Sequence, residues 1–182
     1  PTPNADKLRE ALQRFGSYFT EKDNEISNAG DISEEIAAIT VSILAEIYLI
    51  GGQNGFLQQI EITGGNDQAH ASNTQSRHAK GNAIDLVLTP RSSYNGRFST
   101  KENTFDNDAQ FEITRVESII QGFVGSPSAG EDIRYLNEYN YPTRHANGVH
   151  FHVSYQKGGS EGGPTGFERR QNKTGFGLTG SI

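Results

Sequence analysis

Ala83-Ile84-Asp85-Leu86-Val87-Leu88 is the stretch on which the fold turns. It is mainly aliphatic, and Thr89-Pro90 ends it, because proline cannot donate to a ladder. Read as a strand, it places Ala83, Asp85 and Val87 on one face and Ile84, Leu86 and Leu88 on the other. The second face is wholly apolar. The first carries a carboxylate in mid-strand, a costly place unless the charge is paired or bound to a cation. Val149-His150-Phe151-His152-Val153 has the same alternation. His150 and His152 share one face, and Val149, Phe151 and Val153 take the other. Set in one sheet, the two strands predict one side packed with Ile, Leu, Val and Phe and another presenting Asp85, His150 and His152.

Outward from these strands the pattern is helical on the N-terminal side. Residues 4–20 carry Leu8, Leu12 and Phe15 at helical spacing, with Asn4 as a candidate cap. Residues 21–31 are polar and read as a loop. Asp31-Ile32-Ser33-Glu34-Glu35 opens a stronger helix, with Ser33 as cap and Ile36, Ile39, Ile43 and Ile47 as its stripe. Gly51-Gly52 ends it. Ile60 to Thr63 reads as a strand, 64–77 as a loop and 91–106 as a polar excursion. Asp108 to Phe123 predicts another helix, with Phe111, Val116, Ile119, Ile120 and Phe123 as its apolar face. Ile133 to Leu136 is a weaker strand. Helices first, then strands around one long helix, predict an α+β fold with a mainly antiparallel sheet. The helices are expected on one face and a zinc site on the other. Residues 1–55 form an N-terminal helical part of one domain with a core at 56–157. A Gly-rich tail follows at 158–182.

Composition narrows the functions. The chain has 182 residues, 33 % of them hydrophobic, and mean hydropathy of -0.63. It has no cysteine, which excludes disulfides, thiolate nucleophiles and iron–sulfur sites and leaves His, Asp and Glu as the only metal ligands. Net charge is -6 and no basic stripe is visible, so nucleic acid is not an expected partner. The apolar run Ile36 to Ile50 is broken by Thr40, Ser42 and Glu46 and is too short for a membrane span. No signal peptide is visible, and a chain without methionine is expected to be processed, trimmed or a piece of a longer protein.

The chemistry gathers in two places. His78 lies in the loop before the Asp85 strand, and four of the five histidines fall in or beside the two strand segments. A catalytic zinc takes three protein ligands and keeps one position open. His78, Asp85 and one histidine of the 150/152 pair supply that set. Gly81 lets the loop bend back, and Ala83 leaves room beside the metal.

Ser76-x-His78-x-x-Gly81-x-Ala83-x-Asp85 resembles the signature of the D-Ala-D-Ala carboxypeptidase, lysostaphin and hedgehog-like zinc metallopeptidase group. Five such fixed positions match by chance about once in a million starts. His150-x-His152 is similar to the group's second motif, and the resemblance spans roughly residues 56–156. It implies His78, Asp85 and His152 as zinc ligands and His150 as a catalytic or supporting neighbour. It implies a substrate of bacterial cell-wall type, a peptidoglycan peptide. Members with a glutamate base carry it three residues before the last ligand, where this chain has Val149. His150 first, and His145 second, are then expected to serve the chemistry. Thr63-Gly64-Gly65-Asn66-Asp67 stands where carboxypeptidase members carry Ser-Gly-Tyr-Arg. Asp67 and His70 are expected on the substrate side, and Arg77 or Arg144 is expected to replace the missing positive charge.

The competing expectation is a metal-binding structural or interaction module that keeps the fold without catalysis. The tail holds eight of the 21 glycines, with Phe167, Phe176, Leu178 and Ile182 as its only large anchors. It cannot fold alone and is expected to contact protein partners in a larger assembly. A wall-degrading enzyme in a bacteriophage virion is one setting where such members occur.

Overall fold

The computed structural model describes residues 1–51, 57–90, 107–123, 131–141 and 148–157. The expectations for 91–106, for Arg144 and His145, and for the 158–182 tail lie outside the described residues. The chain runs α1 (Pro3–Gln13), a 3-10 turn (Gly16–Tyr18), β1 (Phe19–Glu21), α2 (Glu34–Gly51), β2 (Leu57–Gly64), β3 (Ala83–Pro90), α3 (Asn107–Gln121), β4 (Glu131–Asn137) and β5 (Phe151–Lys157). Among the described residues, five strands form one sheet in the order β1-β2-β3-β5-β4. β1 runs parallel to β2, and every other neighbouring pair is antiparallel. The architecture is α+β with a mainly antiparallel sheet, as the order of elements predicts. No helix among the described residues is long and apolar enough to cross a membrane.

The alternation places the core. Ile84, Leu86 and Leu88 of β3 and Phe151, Val153 and Tyr155 of β5 are buried together with Ile60 and Ile62 of β2. α2 packs on β3 and β5, and α3 packs on β3. Val149 lies just before β5 and joins the same core.

Helix ends and faces depart from expectation in three places. Asn4 lies inside α1 and does not cap it. The cap comes from Asp31, whose carboxylate accepts the Asn4 and Ala5 amides at 3.0 and 2.9 Å. α1 stops at Gln13, well short of residue 20, and Gly16 turns the chain at φ +62° into β1. Phe111 is 61 % exposed, whereas Ala109, Ile113, Val116 and Ile120 are fully buried. Phe111 sits about 200° around the helix from both Ala109 and Ile113, on the solvent side. Ser33 does cap α2, its Oγ accepting the Ile36 amide at 3.1 Å.

Candidate metal centre

The β3–β5 register sets Asp85 directly opposite His152. Side chains opposite each other on one face come within contact distance, and His152 Nδ1 lies 3.0 Å from Asp85 Oδ1. A register shift in β2 brings Gly64 opposite Asp85 on the other flank. A Cβ on Gly64 would stand 2.9 Å from Asp85 Oδ2 and 3.2 Å from Asp67 Oδ2. Glycine there leaves the space that two carboxylates occupy.

His78 arrives from the loop. Its amide donates to Ser76 Oγ at 3.2 Å, and its carbonyl accepts the Gly81 amide at 2.9 Å. Gly81 has φ +71°, and a Cβ on it would lie 2.6 Å from the Asp31 carbonyl oxygen, so both conformation and space require glycine. Asn82 then accepts the Tyr155 amide at 2.9 Å, which ties the loop to β5. The spacing of the Ser-His-Gly-Ala-Asp motif is thus the geometry of one closed turn feeding a strand.

The turn delivers His78 Nε2 to 3.2 Å from His152 Nδ1 and 3.3 Å from Asp85 Oδ1. With the 3.0 Å contact, three donor atoms form a nearly equilateral triangle. Ligand atoms around a tetrahedral zinc with bonds of about 2.0–2.1 Å stand roughly 3.3–3.4 Å apart. The tautomer agrees. His78 Nδ1 is 2.8 Å from the Gly65 carbonyl oxygen, which can only accept, so Nδ1 carries the hydrogen. In the neutral ring Nε2 is then a bare lone pair aimed into the triangle, the arrangement of metal-ligating histidines. Asp85 is buried, which alone would raise its pKa. The neighbouring His78 and His150 rings and the hydrogen bond from His152 outweigh burial and hold it well below the usual carboxylate range.

Two carboxylate–histidine pairs flank the triangle. On one side His150 Nδ1 faces the Gly148 carbonyl oxygen at 3.1 Å, while Nε2 bonds Glu138 and lies 3.6 Å from Asp85 Oδ1. Both ring nitrogens face oxygen acceptors, which favours the imidazolium form. Burial opposes that charge, but Asp85 and Glu138 lift the His150 pKa to about 9. On the other side Asp67 is buried and accepts the Gly65 amide at 3.0 Å, the His70 amide at 3.1 Å and His70 Nδ1 at 2.9 Å. Burial would raise the Asp67 pKa, but the His70 bond and the neighbouring His70 and His78 rings lower it. The His70 ring stacks on His78 with centroids 3.9 Å apart and planes at 10°.

Two sets among the described residues converge closely enough to hold an ion: His78, Asp85 and His152, and Asp67, His70 and His78. In the second set the Asp67 oxygens already accept three N–H groups, and His78 Nδ1 donates to Gly65. The first set alone presents a converged, unspent His78 lone pair beside an ionised carboxylate.

The structure therefore brings His78, Asp85, His152, His150, Asp67 and His70 into one cluster. Arg77 is buried, and its guanidinium donates to the Tyr155 carbonyl oxygen at 3.0 Å and to Gln156. Glu138 escapes the sequence reading. Leu136 pairs with His152, so Glu138, two residues on, falls opposite His150, whose carbonyl accepts the Glu138 amide at 2.9 Å. Counting that register is the signal that finds it. No protein-family model, curated protein or solved structure matches the chain.

Proposed function

We propose that the chain is a zinc-dependent peptidase acting on peptidoglycan peptides of the bacterial cell wall, with His78, Asp85 and His152 as the metal ligands. The observation that carries the reading is the triangle of His78 Nε2, Asp85 Oδ1 and His152 Nδ1, with edges of 3.0–3.3 Å and the His78 tautomer set by Gly65. Two imidazoles and one carboxylate, without sulfur, leave a fourth position open and suit a hydrolytic zinc. When bound, zinc supplies a Lewis acid for a peptide carbonyl and acidifies a water. The chain's own residues shape the surroundings. Asp85 brings the negative charge that the cation needs, and Gly64 leaves room for it. His150, held by Glu138 beside Asp85, places an imidazole with both nitrogens engaged at the edge of the centre, where its polarity suits an oxygen on which negative charge grows. The Ser76-to-Asp85 motif supports the cell-wall substrate class through its resemblance to the carboxypeptidase and lysostaphin group. The same likeness and the composition of 158–182 support a place in a phage particle, with neighbouring proteins meeting the tail.

The test is zinc stoichiometry together with hydrolysis. One zinc per chain is expected, with new amino termini released from purified peptidoglycan, blocked by a chelator and restored by zinc. Release that a chelator does not touch would sink the reading. A second reading, a metal-holding module without catalysis, draws on Val149 at the glutamate position and on the engagement of both His150 nitrogens. It requires bound zinc with no release of amines.

A further inference from the structure

We propose that His70, braced by Asp67, is the catalytic side chain of this centre, the group that hydrogen-bonds the reacting oxygen at the open side of the His78–Asp85–His152 triangle. The inference rests on the hydrolytic reading of that triangle and assigns a role that the motif resemblance gives to His150 or His145.

His78 spends Nδ1 on Gly65 and Nε2 in the triangle. His152 spends Nδ1 there as well. His150 gives Nδ1 to Gly148 and Nε2 to Glu138. His70 donates from Nδ1 to Asp67, and its Nε2 meets no hydrogen-bonding partner among the described residues. A ring whose two nitrogens are both held by acceptors can lend charge but has nothing left to offer a substrate. His70 has one nitrogen held and one open.

Exposure gives the direction. The His70 side chain is 36 % exposed, against 5 %, 11 % and 17 % for His78, His152 and His150. It is the part of the cluster that solvent, and therefore substrate, reaches first. Its ring lies flat on the His78 ring at 3.9 Å, one ring's thickness from a ligand to the metal.

A surface histidine needs no buried acid behind it. Here a 2 %-exposed Asp67 bonds both the His70 backbone amide and its Nδ1, which fixes the tautomer and the ring plane together. Burying a carboxylate is costly, and the space for it depends on Gly64. Such preorganisation is what a group aimed at a reacting atom requires.

The probe is acetohydroxamate, a small zinc chelator with an oxygen that a neighbouring group can hydrogen-bond, titrated into zinc-loaded protein. His70→Ala should keep one zinc per chain and bind acetohydroxamate about tenfold more weakly, the worth of one good hydrogen bond. His70→Gln should recover part of that loss, and Asp67→Asn should show part of it. On peptidoglycan, His70→Ala should lower turnover by roughly 10²–10³-fold. Unchanged acetohydroxamate affinity in His70→Ala overturns the proposal, as does loss of zinc, which would make His70 a ligand. Wild-type turnover in His70→Ala overturns it while leaving the peptidase reading intact. If wild type releases no amines yet acetohydroxamate affinity depends on His70, the peptidase reading fails and the place of His70 stands. A wild-type chain that takes up no zinc overturns both.

Discussion

The Gly65 peptide orients both layers of the centre: its carbonyl oxygen accepts His78 Nδ1 at 2.8 Å, and its amide donates to Asp67 Oδ2 at 3.0 Å. The peptide is itself pinned. A Cβ on residue 65 would lie 2.4 Å from the Ile26 carbonyl oxygen and 2.8 Å from its Cα, and the Asn66 amide donates to that same oxygen at 2.9 Å. Backbone cannot step aside cheaply, so Gly65→Ala must shift the loop that aims His78. Zinc affinity should fall about 10–100-fold, the usual cost of losing an outer partner of a ligand, with roughly 1–3 kcal/mol of stability. Chelator competition and urea unfolding measure the two. Unchanged affinity would mean that Gly65 does not set the His78 orientation.

Asp85 is the only carboxylate of the triangle, so its charge should govern metal uptake. Asp85→Asn keeps the shape and removes the charge. Zinc at 100 times its dissociation constant stabilises a folded chain by about 2.7 kcal/mol. For a domain of this size that is roughly 5–10 °C in melting temperature. Wild type should show the shift and Asp85→Asn should not, while its far-ultraviolet circular dichroism stays that of wild type because the core lies on the other face. A full zinc-induced shift in Asp85→Asn would remove Asp85 from the ligand set.

Asp85 and His152 were legible because strand alternation is local, and a charge in an apolar strand is conspicuous wherever the strand lies. His78 and Gly81 were legible through the turn that their spacing encodes. Glu138 was not, because its meeting with His150 is a property of the β4–β5 register and β4 carries little pattern of its own. The same holds for the α1 cap, where Asp31 reaches Asn4 and Ala5 from 27 and 26 residues away. β1 pairs in parallel with a strand some forty residues later, and nothing in Phe19-Thr20-Glu21 announces it. Phe111 misled for the opposite reason. Its hydrophobicity is a local fact, but the buried face of α3 is decided by the sheet beneath it.

Glu117 makes stability depend on pH through a group outside the candidate metal ligands. It is buried in α3, and its carboxylate accepts a hydrogen bond from Asn137 Nδ2 at 2.8 Å. Burial raises its pKa from 4.5 to about 7, and the Asn137 bond only partly opposes that. Between these two values the folded state binds more protons than the unfolded one. Stability should therefore fall as pH rises through this window and level off above it, with a loss of at most about 3 kcal/mol. Glu117→Gln keeps an acceptor for Asn137 and cannot ionise. It should exceed wild type by about 1–3 kcal/mol at pH 8 and match it at pH 4, as read by urea unfolding at each pH. An equal difference at both values would refute the ionisation argument.

Arg77 stands next to the candidate metal ligand His78 in sequence, yet its geometry is that of a brace. The guanidinium is buried and grips β5 through the Tyr155 carbonyl oxygen, 3.0 Å away, and through Gln156. The grip closes the same turn that Asn82 closes by accepting the Tyr155 amide at 2.9 Å. Removing the guanidinium leaves both acceptors buried, and hydrogen bonds to a charged group contribute about 1.5–3 kcal/mol each. Arg77→Ala should cost roughly 2–4 kcal/mol of stability, near the upper end for single substitutions. Arg77→Lys should recover little, since an ammonium cannot reproduce the planar fork that reaches two acceptors on one strand. The decisive comparison is kinetic. A brace predicts that Arg77→Ala, assayed below its lowered melting temperature, keeps the wild-type KM for peptidoglycan peptides and loses only folded protein. A substrate-binding cation predicts a raised KM at full stability, and that outcome would return Arg77 to the substrate side.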